Sequence, residues 1–436
     1  LLALLVPIQM AGQTWDDHDR SGRYTCRDFG QNYLNSMDAK GNPVIFTNGD
    51  NDTFPLWYNQ ETEGVRTDAR VCNLSYLQTD WYIDQMRRPA YDSPSLPISW
   101  TRLQYVTGTR EGIPVQPDAL QQVIDYYKDS PEDLKQMLGD NPYELKNIIR
   151  HWVLNDNPDL QIFPTDSIVV TVDKEAVKRS GMMIAADSIP DVMHISLKGK
   201  RAVYKSEMMM LEMISQANWE RPLYMSTTVG PDNYGHLGDN FVQEGLACRI
   251  TPFDTKQSGR TIDSERMYNN MMNKFKYGGL KENPDIYLDE TVIRMCYTHR
   301  RLFNQLAQQL LKEGQKDKAL KVLQRAEEEI PGSIVPHEAF YGHSLELADA
   351  WLALGHKAEA EKLLNAVGQN AKEYIEWYLS LNTQRLLQSS RECLMQIYIL
   401  NDIAKTWEPI DKKKAETYRM EVNNYASRCH QRGMSL

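Results

Sequence analysis

Residues 43–47 (Pro43, Val44, Ile45, Phe46 and Thr47) form an unbroken apolar run, which predicts a strand buried on both faces. The polar group Asn48, Gly49, Asp50, Asn51, Asp52 and Thr53 follows. Pro55 then suits the first turn of a helix carrying Trp57, Tyr58 and Glu61 towards Gly64. Residues 69–74 repeat the strand signal, and a second helix is expected from about 79 through Trp81, Ile83 and Met86. Strand, helix, strand, helix at this pace is the rhythm of a parallel sheet. Pro89, Pro94 and Pro97 interrupt it, and short helical patterns near 117–128, 131–138 and 143–153 mark residues 89–165 as an insertion. The sheet is expected to resume at 167–172, followed by a methionine-rich helix at 203–217 and a strand at 222–227. Met208, Met209, Met210 and Met213 at helical spacing read as core filling rather than a cofactor box.

The last third changes character, because strand signals vanish and a helical period takes over. Leu306, Ala307, Leu310, Gly314, Ala319, Leu323 and Ala326 align with Leu347, Ala348, Trp351, Gly355, Ala360, Leu364 and Val367 at an offset of 41 residues (306 to 347). Small residues where two helices approach and a glycine at the turn give the tetratricopeptide helix-turn-helix pattern. The offset exceeds the usual repeat of about 34 residues, so a longer linker is expected at 332–341. Residues 372–434 continue as capping helices.

At the other end, residues 1–8 are apolar but far shorter than the roughly 20 residues needed to span a bilayer. They read as the end of a longer membrane helix. Residues 13–41 are polar and read as an irregular juxtamembrane connector. The expected organisation is therefore 1–41 membrane-helix end and connector, 42–255 α/β domain, 256–289 linker and 290–436 helical repeat. The fold class is a parallel, Rossmann-like, three-layer α/β domain followed by an all-α tetratricopeptide-like domain.

Composition narrows the function. With 41% hydrophobic and 25% charged residues the chain is globular. A net charge of −10 disfavours nucleic acid, which needs a cationic face to release counterions. The six cysteines are scattered without CxxC spacing, which argues against a zinc site and a disulfide framework.

Three loops offer chemistry. Asn48, Asp50, Asn51 and Asp52 follow the first strand, where open α/β sheets bind ligands, and they supply oxygen ligands for a divalent cation or acceptors for sugar hydroxyls. The competing reading is an ordinary turn and helix cap. Asp16, Asp17, His18 and Asp19 could hold a divalent ion, although such a run is more often a solvated linker. The loop at 230–239, with His236 and Asp239, could line the same sheet edge as the first. Trp57 with Tyr58, and Trp81 with Tyr82, could stack on sugar rings or simply pack. No phosphate-binding glycine fingerprint, nucleophile elbow or HExxH motif occurs, and no catalytic residue is assigned.

The stretch 42–58 (Asn-Pro-Val-Ile-Phe-Thr-Asn-Gly-Asp-Asn-Asp-Thr-Phe-Pro-Leu-Trp-Tyr), with Glu61, Gly64, Arg66, Asp68, Arg70, Asn73, Thr79 and Trp81, carries a resemblance. So does 15–21 (Trp-Asp-Asp-His-Asp-Arg-Ser). Together they resemble the C-terminal soluble region of bacterial GT-C type, protein O-mannosyltransferase-like membrane glycosyltransferases, formerly a domain of unknown function. The resemblance implies a parent using a lipid-linked sugar donor, with its catalytic acid in a membrane-proximal loop outside this chain. It implies an inner-membrane protein of a Gram-negative bacterium, with this segment in the periplasm. Its partners would be a glycan or protein acceptor, a protein on the helical repeat, and the membrane through preceding helices. No cofactor is implied beyond a divalent cation. The alternatives are a structural interaction module and an independent metal-dependent enzyme using Asp50 and Asp52.

Overall fold

A computed structural model describes residues 2–184 and 189–434. They form two units: Arg27–Lys276, and a helical unit of the residues up to Cys26 and from Tyr277 on.

The first unit contains β1 (Val44–Thr47), β2 (Arg70–Asn73), β3 (Gly112–Pro114), β4 (Ser167–Thr171), β5 (Val192–Ser196), β6 (Ala202–Tyr204), β7 (Leu223–Ser226), β8 (Phe241–Gln243) and β9 (Ala247–Ile250). The main sheet has the order β2-β1-β7-β9-β8. β1 runs parallel to β2 and β7, whereas β9 is antiparallel to both β7 and β8. The expected all-parallel, Rossmann-like sheet is thus corrected to a mixed one. The cause is local: β8 and β9 form a hairpin, and a hairpin can only pair antiparallel. β1, β2 and β7 are buried along their whole length, which for β1 matches its unbroken apolar run.

β4 does not resume the main sheet. It pairs antiparallel with β5 in a separate two-stranded sheet, and β3 pairs with β6 in another. The stretch read as an insertion shares the main core: Trp100, Ile148 and Phe163 are buried in one cluster with Val44, Phe46 and the methionine helix Lys205–Gln216. Two other expectations change. Residues 13–41 are not irregular, since they carry the end of the helix Leu2–His18 and the helix Thr25–Ser36, which buries Phe29, Tyr33 and Leu34. Residues 256–276 are not a linker, since Met267, Met271 and Phe275 are buried.

In the helical unit, Glu290–Lys312 packs with Lys316–Glu329, and Ser344–Ala353 packs with Lys357–Ser380. Asp289 starts the first of these by accepting a hydrogen bond from the Val292 amide (3.1 Å). The aligned positions share burial: Leu306, Ala307, Ala319 and Leu323 are buried, and so are Leu347, Ala348, Ala360 and Leu364. Gly314 and Gly355 both sit at positive φ (76° and 83°), the left-handed turn for which glycine is suited. The helices Ser390–Trp407 and Lys412–Gln431 complete the unit, and there Cys393 Sγ and Cys429 Sγ, 36 residues apart in sequence, lie 3.9 Å from each other in the interior. The helix Leu2–His18 exposes Leu4, Leu5, Val6, Ile8 and Met10. No helix among the described residues is long and apolar enough to cross a membrane.

Candidate functional site

The parallel strands β1, β2 and β7 bring Thr47, Asn73 and Ser226 to one edge of the sheet, with the loop 48–53 above them. This is where an open α/β sheet would hold a ligand, but here the edge is filled by the protein itself. Asp52 is 3% exposed. Its Oδ1 accepts from the amides of Gly49 (2.9 Å) and Asn48 (3.4 Å). Its Oδ2 accepts from the hydroxyls of Thr228 (2.8 Å) and Ser226 (3.0 Å). Ser226 Oγ also lies 3.0 Å from the hydroxyl of Tyr33, whose pKa burial and the Asp52 charge push up to about 12. Asn48 is held from the side, its Oδ1 accepting from Ser75 Oγ (2.9 Å).

Asp50 and Asn51 point to solvent, and the Asp50 carbonyl closes the turn by accepting from the Phe54 amide (2.9 Å). The expected metal pair is therefore corrected. Asp52 has both oxygens committed inside the fold, and the Asp50 side chain is not brought to it. Asp19 is exposed, and hydrogen bonds from the Ser21 hydroxyl and amide hold its carboxyl below the usual range. The side chains of Asp16 and Asp17 lie outside the described residues. Among the described residues, no group of three or more His, Cys, Asp or Glu could hold a metal ion.

His236 and Asp239 are also separated from the first loop. Asn240 leads directly into β8, whose first residue, Phe241, pairs with Ile250, while the other end of β9 pairs with Ser226. The chain has therefore crossed to the opposite edge of the sheet. There His236 Nδ1 stands 4.0 Å from Asp239 Oδ2, and Lys256 Nζ stands 2.9 Å from the same oxygen. The two side chains line a polar cleft of about 840 Å³ with His194, Asn240, Asp254 and Gln257.

Trp57 leads to a different place. It packs parallel to Tyr76 (6.2 Å between centroids, 14° between planes), with Phe54 5.8 Å away, and Tyr76 continues to Trp81 (5.9 Å). Phe54, Tyr58 and Trp81 are each nearly half exposed (45%, 45% and 48%), so an aromatic ridge reaches the surface. Next to it, against the edge strand β2, opens a cavity of about 450 Å³ lined by Trp57, Gln60, Glu61, Arg70, Gln85 and Tyr91. The helix Phe54–Glu61 forms one wall and the helix Asp80–Met86 the other. Tyr91 projects from the turn 90–93 at a left-handed φ of 52°, uncommon for a bulky side chain, and its hydroxyl donates to Glu61. Of this set, sequence reasoning reached only Trp57. Glu61 and Arg70 belong to the stretch that carries the family resemblance but have no site role assigned there, and Gln60, Gln85 and Tyr91 carry no motif.

A family model described as TMEM260-associated domain 2 matches residues 26–270, more than half of the chain. No curated protein and no solved structure matches.

Proposed function

Because the chain belongs to the TMEM260-associated domain 2 family, we propose that it is the acceptor-recognising region of a glycosyltransferase-related protein and that it holds a sugar ring in the cavity beside Trp57. TMEM260 is a protein O-mannosyltransferase-like family, which supports a partner that carries sugar. The observation that carries the reading is the half-exposed aromatic ridge beside a mostly apolar cavity edged by a few polar side chains. The C–H face of a sugar stacks on aromatic rings, and its hydroxyls need donors and acceptors such as Gln60, Glu61 and Gln85. Transfer itself belongs to another part of the parent protein, in the periplasm beside the inner membrane of a Gram-negative bacterium. The paired helices, with their shared small-residue positions, act as tetratricopeptide-like hairpins that recruit a protein partner.

Nuclear magnetic resonance of the tryptophan indoles tests the sugar reading, with methyl α-mannopyranoside and mannobiose as probes. Trp57 and Trp81 signals should shift on titration. Trp81→Ala, at a surface position, should weaken binding several-fold without unfolding the chain. Indole signals that stay fixed at saturating sugar remove the cavity from consideration.

A further inference from the structure

Arg70 opens β2 and is 4% exposed. Its Nη2 donates to the carbonyl oxygens of Gln85 and Met86 (3.4 Å each) and of Arg88, at the carboxyl end of the helix Asp80–Met86. Those carbonyl dipoles offset part of its charge. Its Nε and Nη1 are buried without a hydrogen-bond partner. The charged or polar groups that act on Arg70 are Cys72 and Tyr82, and burial keeps both neutral by raising their pKa values, that of Cys72 to about 12. A second guanidinium, Arg221, is pushed down to about 10 by burial and by Arg70 itself. Arg221 is spent on oxygens of its own, the carbonyls of Asn42 (2.7 Å) and Ser95 (2.8 Å). Buried Arg70 thus has a second, half-buried cation acting on it, and among the described residues no carboxylate forms an ion pair with Arg70. A buried charge normally has a counter-ion.

Arg70 lies in the wall of the cavity beside Trp57, and Arg88 stands at its exposed margin. Glu61 is the one carboxylate lining that cavity among the described residues, and it accepts from the Tyr91 hydroxyl. We propose that the ligand of this cavity is an acidic sugar, its carboxylate or phosphate set against Arg70 and Arg88 and its ring against Trp57. This rests on the sugar-binding reading above and adds the charge of the ligand. Arg88 supplies direct, charge-assisted hydrogen bonds. Arg70, with its nitrogens sealed in the wall, supplies a field that a neutral sugar leaves uncompensated.

Calorimetric titration of the whole chain tests this with four probes: methyl β-glucuronide, mannose 6-phosphate, methyl α-mannopyranoside and inorganic phosphate. At least one acidic sugar should bind about tenfold tighter than the neutral one, a preference of the size that one charge-assisted contact confers. The preference should shrink with added salt. Arg88→Gln should abolish it. Arg70→Lys should retain part of it, and Arg70→Gln should not; if Arg70→Gln fails to fold, the Arg88→Gln result decides. The glucuronide against the sugar phosphate separates carboxylate from phosphate. Equal affinity for neutral and acidic sugars overturns the acidic ligand and leaves the sugar site standing. Inorganic phosphate binding as tightly as mannose 6-phosphate overturns the sugar part of the assignment. Binding of none of the four overturns both readings.

Discussion

Asp52 and Asp50 are two residues apart and do opposite things. Asp52 accepts four hydrogen bonds from buried or half-buried donors. Removing its carboxylate takes a charged acceptor from two amides and from the hydroxyls of Ser226 and Thr228, which keep each other as partners (2.7 Å), and a hydrogen bond to a charged group contributes about 1.5–3 kcal/mol. Asp52→Ala should therefore destabilise the α/β unit by about 2–4 kcal/mol, while Asp50→Ala should stay within about 0.5 kcal/mol. Urea unfolding of the two variants makes the comparison, and equal effects would mean that the hydrogen-bond assignment is wrong. The sequence shows that acidic residues gather after the first strand. It does not show which of them turns inward, because that depends on Tyr33, Ser226 and Thr228 arriving from distant segments. Arg70 is the reverse case. Its residue type suggests an exposed position, and only the carbonyls at the end of the helix Asp80–Met86 make its burial tolerable.

Elements with a strong local signal were legible and those defined by a distant partner were not. β1 is an unbroken apolar run, β2 and β7 have apolar centres, and helix Phe54–Glu61 has a proline in its first turn, so their positions follow from the chain alone. β8 and β9 went unread along the chain, and they are what makes the sheet mixed. The helix Thr25–Ser36 escaped notice because it buries polar residues, Asn32 and Ser36, beside its apolar ones. Asn32 Nδ2 donates to the Lys276 carbonyl (2.6 Å), a contact that no local pattern announces. The same helix lies tightly against Phe54–Glu61. Asn59 Nδ2 bridges the two by donating to the carbonyls of Arg27 (2.8 Å) and Pro55 (2.7 Å), and a methyl group at Gly30 would strike that Pro55 carbonyl. Gly30→Ala should consequently cost about 1–3 kcal/mol or more by overpacking, although alanine favours helices more than glycine does. Thermal melting decides the matter, since a stabilised variant would show that the two helices can separate freely.

At the scale of the whole molecule, one buried titratable group in each unit, Glu244 and His299, couples folding to acid with opposite signs. In the α/β unit, Glu244 is buried beside Arg249 and Arg266, and burial raises its carboxyl to about 7. The folded state then holds a proton that the unfolded state has released. Its contribution is complete below about pH 4.5 and is lost as the pH rises through 7. In the helical unit, burial lowers His299 to about 3 from the ordinary 6.5, so the unfolded state binds the extra proton. That contribution is present above pH 6.5 and is lost as the pH falls towards 3. Scanning calorimetry between pH 5 and 8 should show two transitions moving in opposite directions. Glu244→Gln should flatten the first dependence and His299→Phe the second, and one transition with a single slope in all three proteins would refute the assignment. The methionine helix adds a way to watch the first unit open. Met208, Met209, Met210 and Met213 are each at most 1% exposed. Peroxide reaches such thioethers when the surrounding core comes apart. The sulfoxide that accumulates on them is thus a clock for rare, large openings of that unit, and fraying at its surface leaves the clock still.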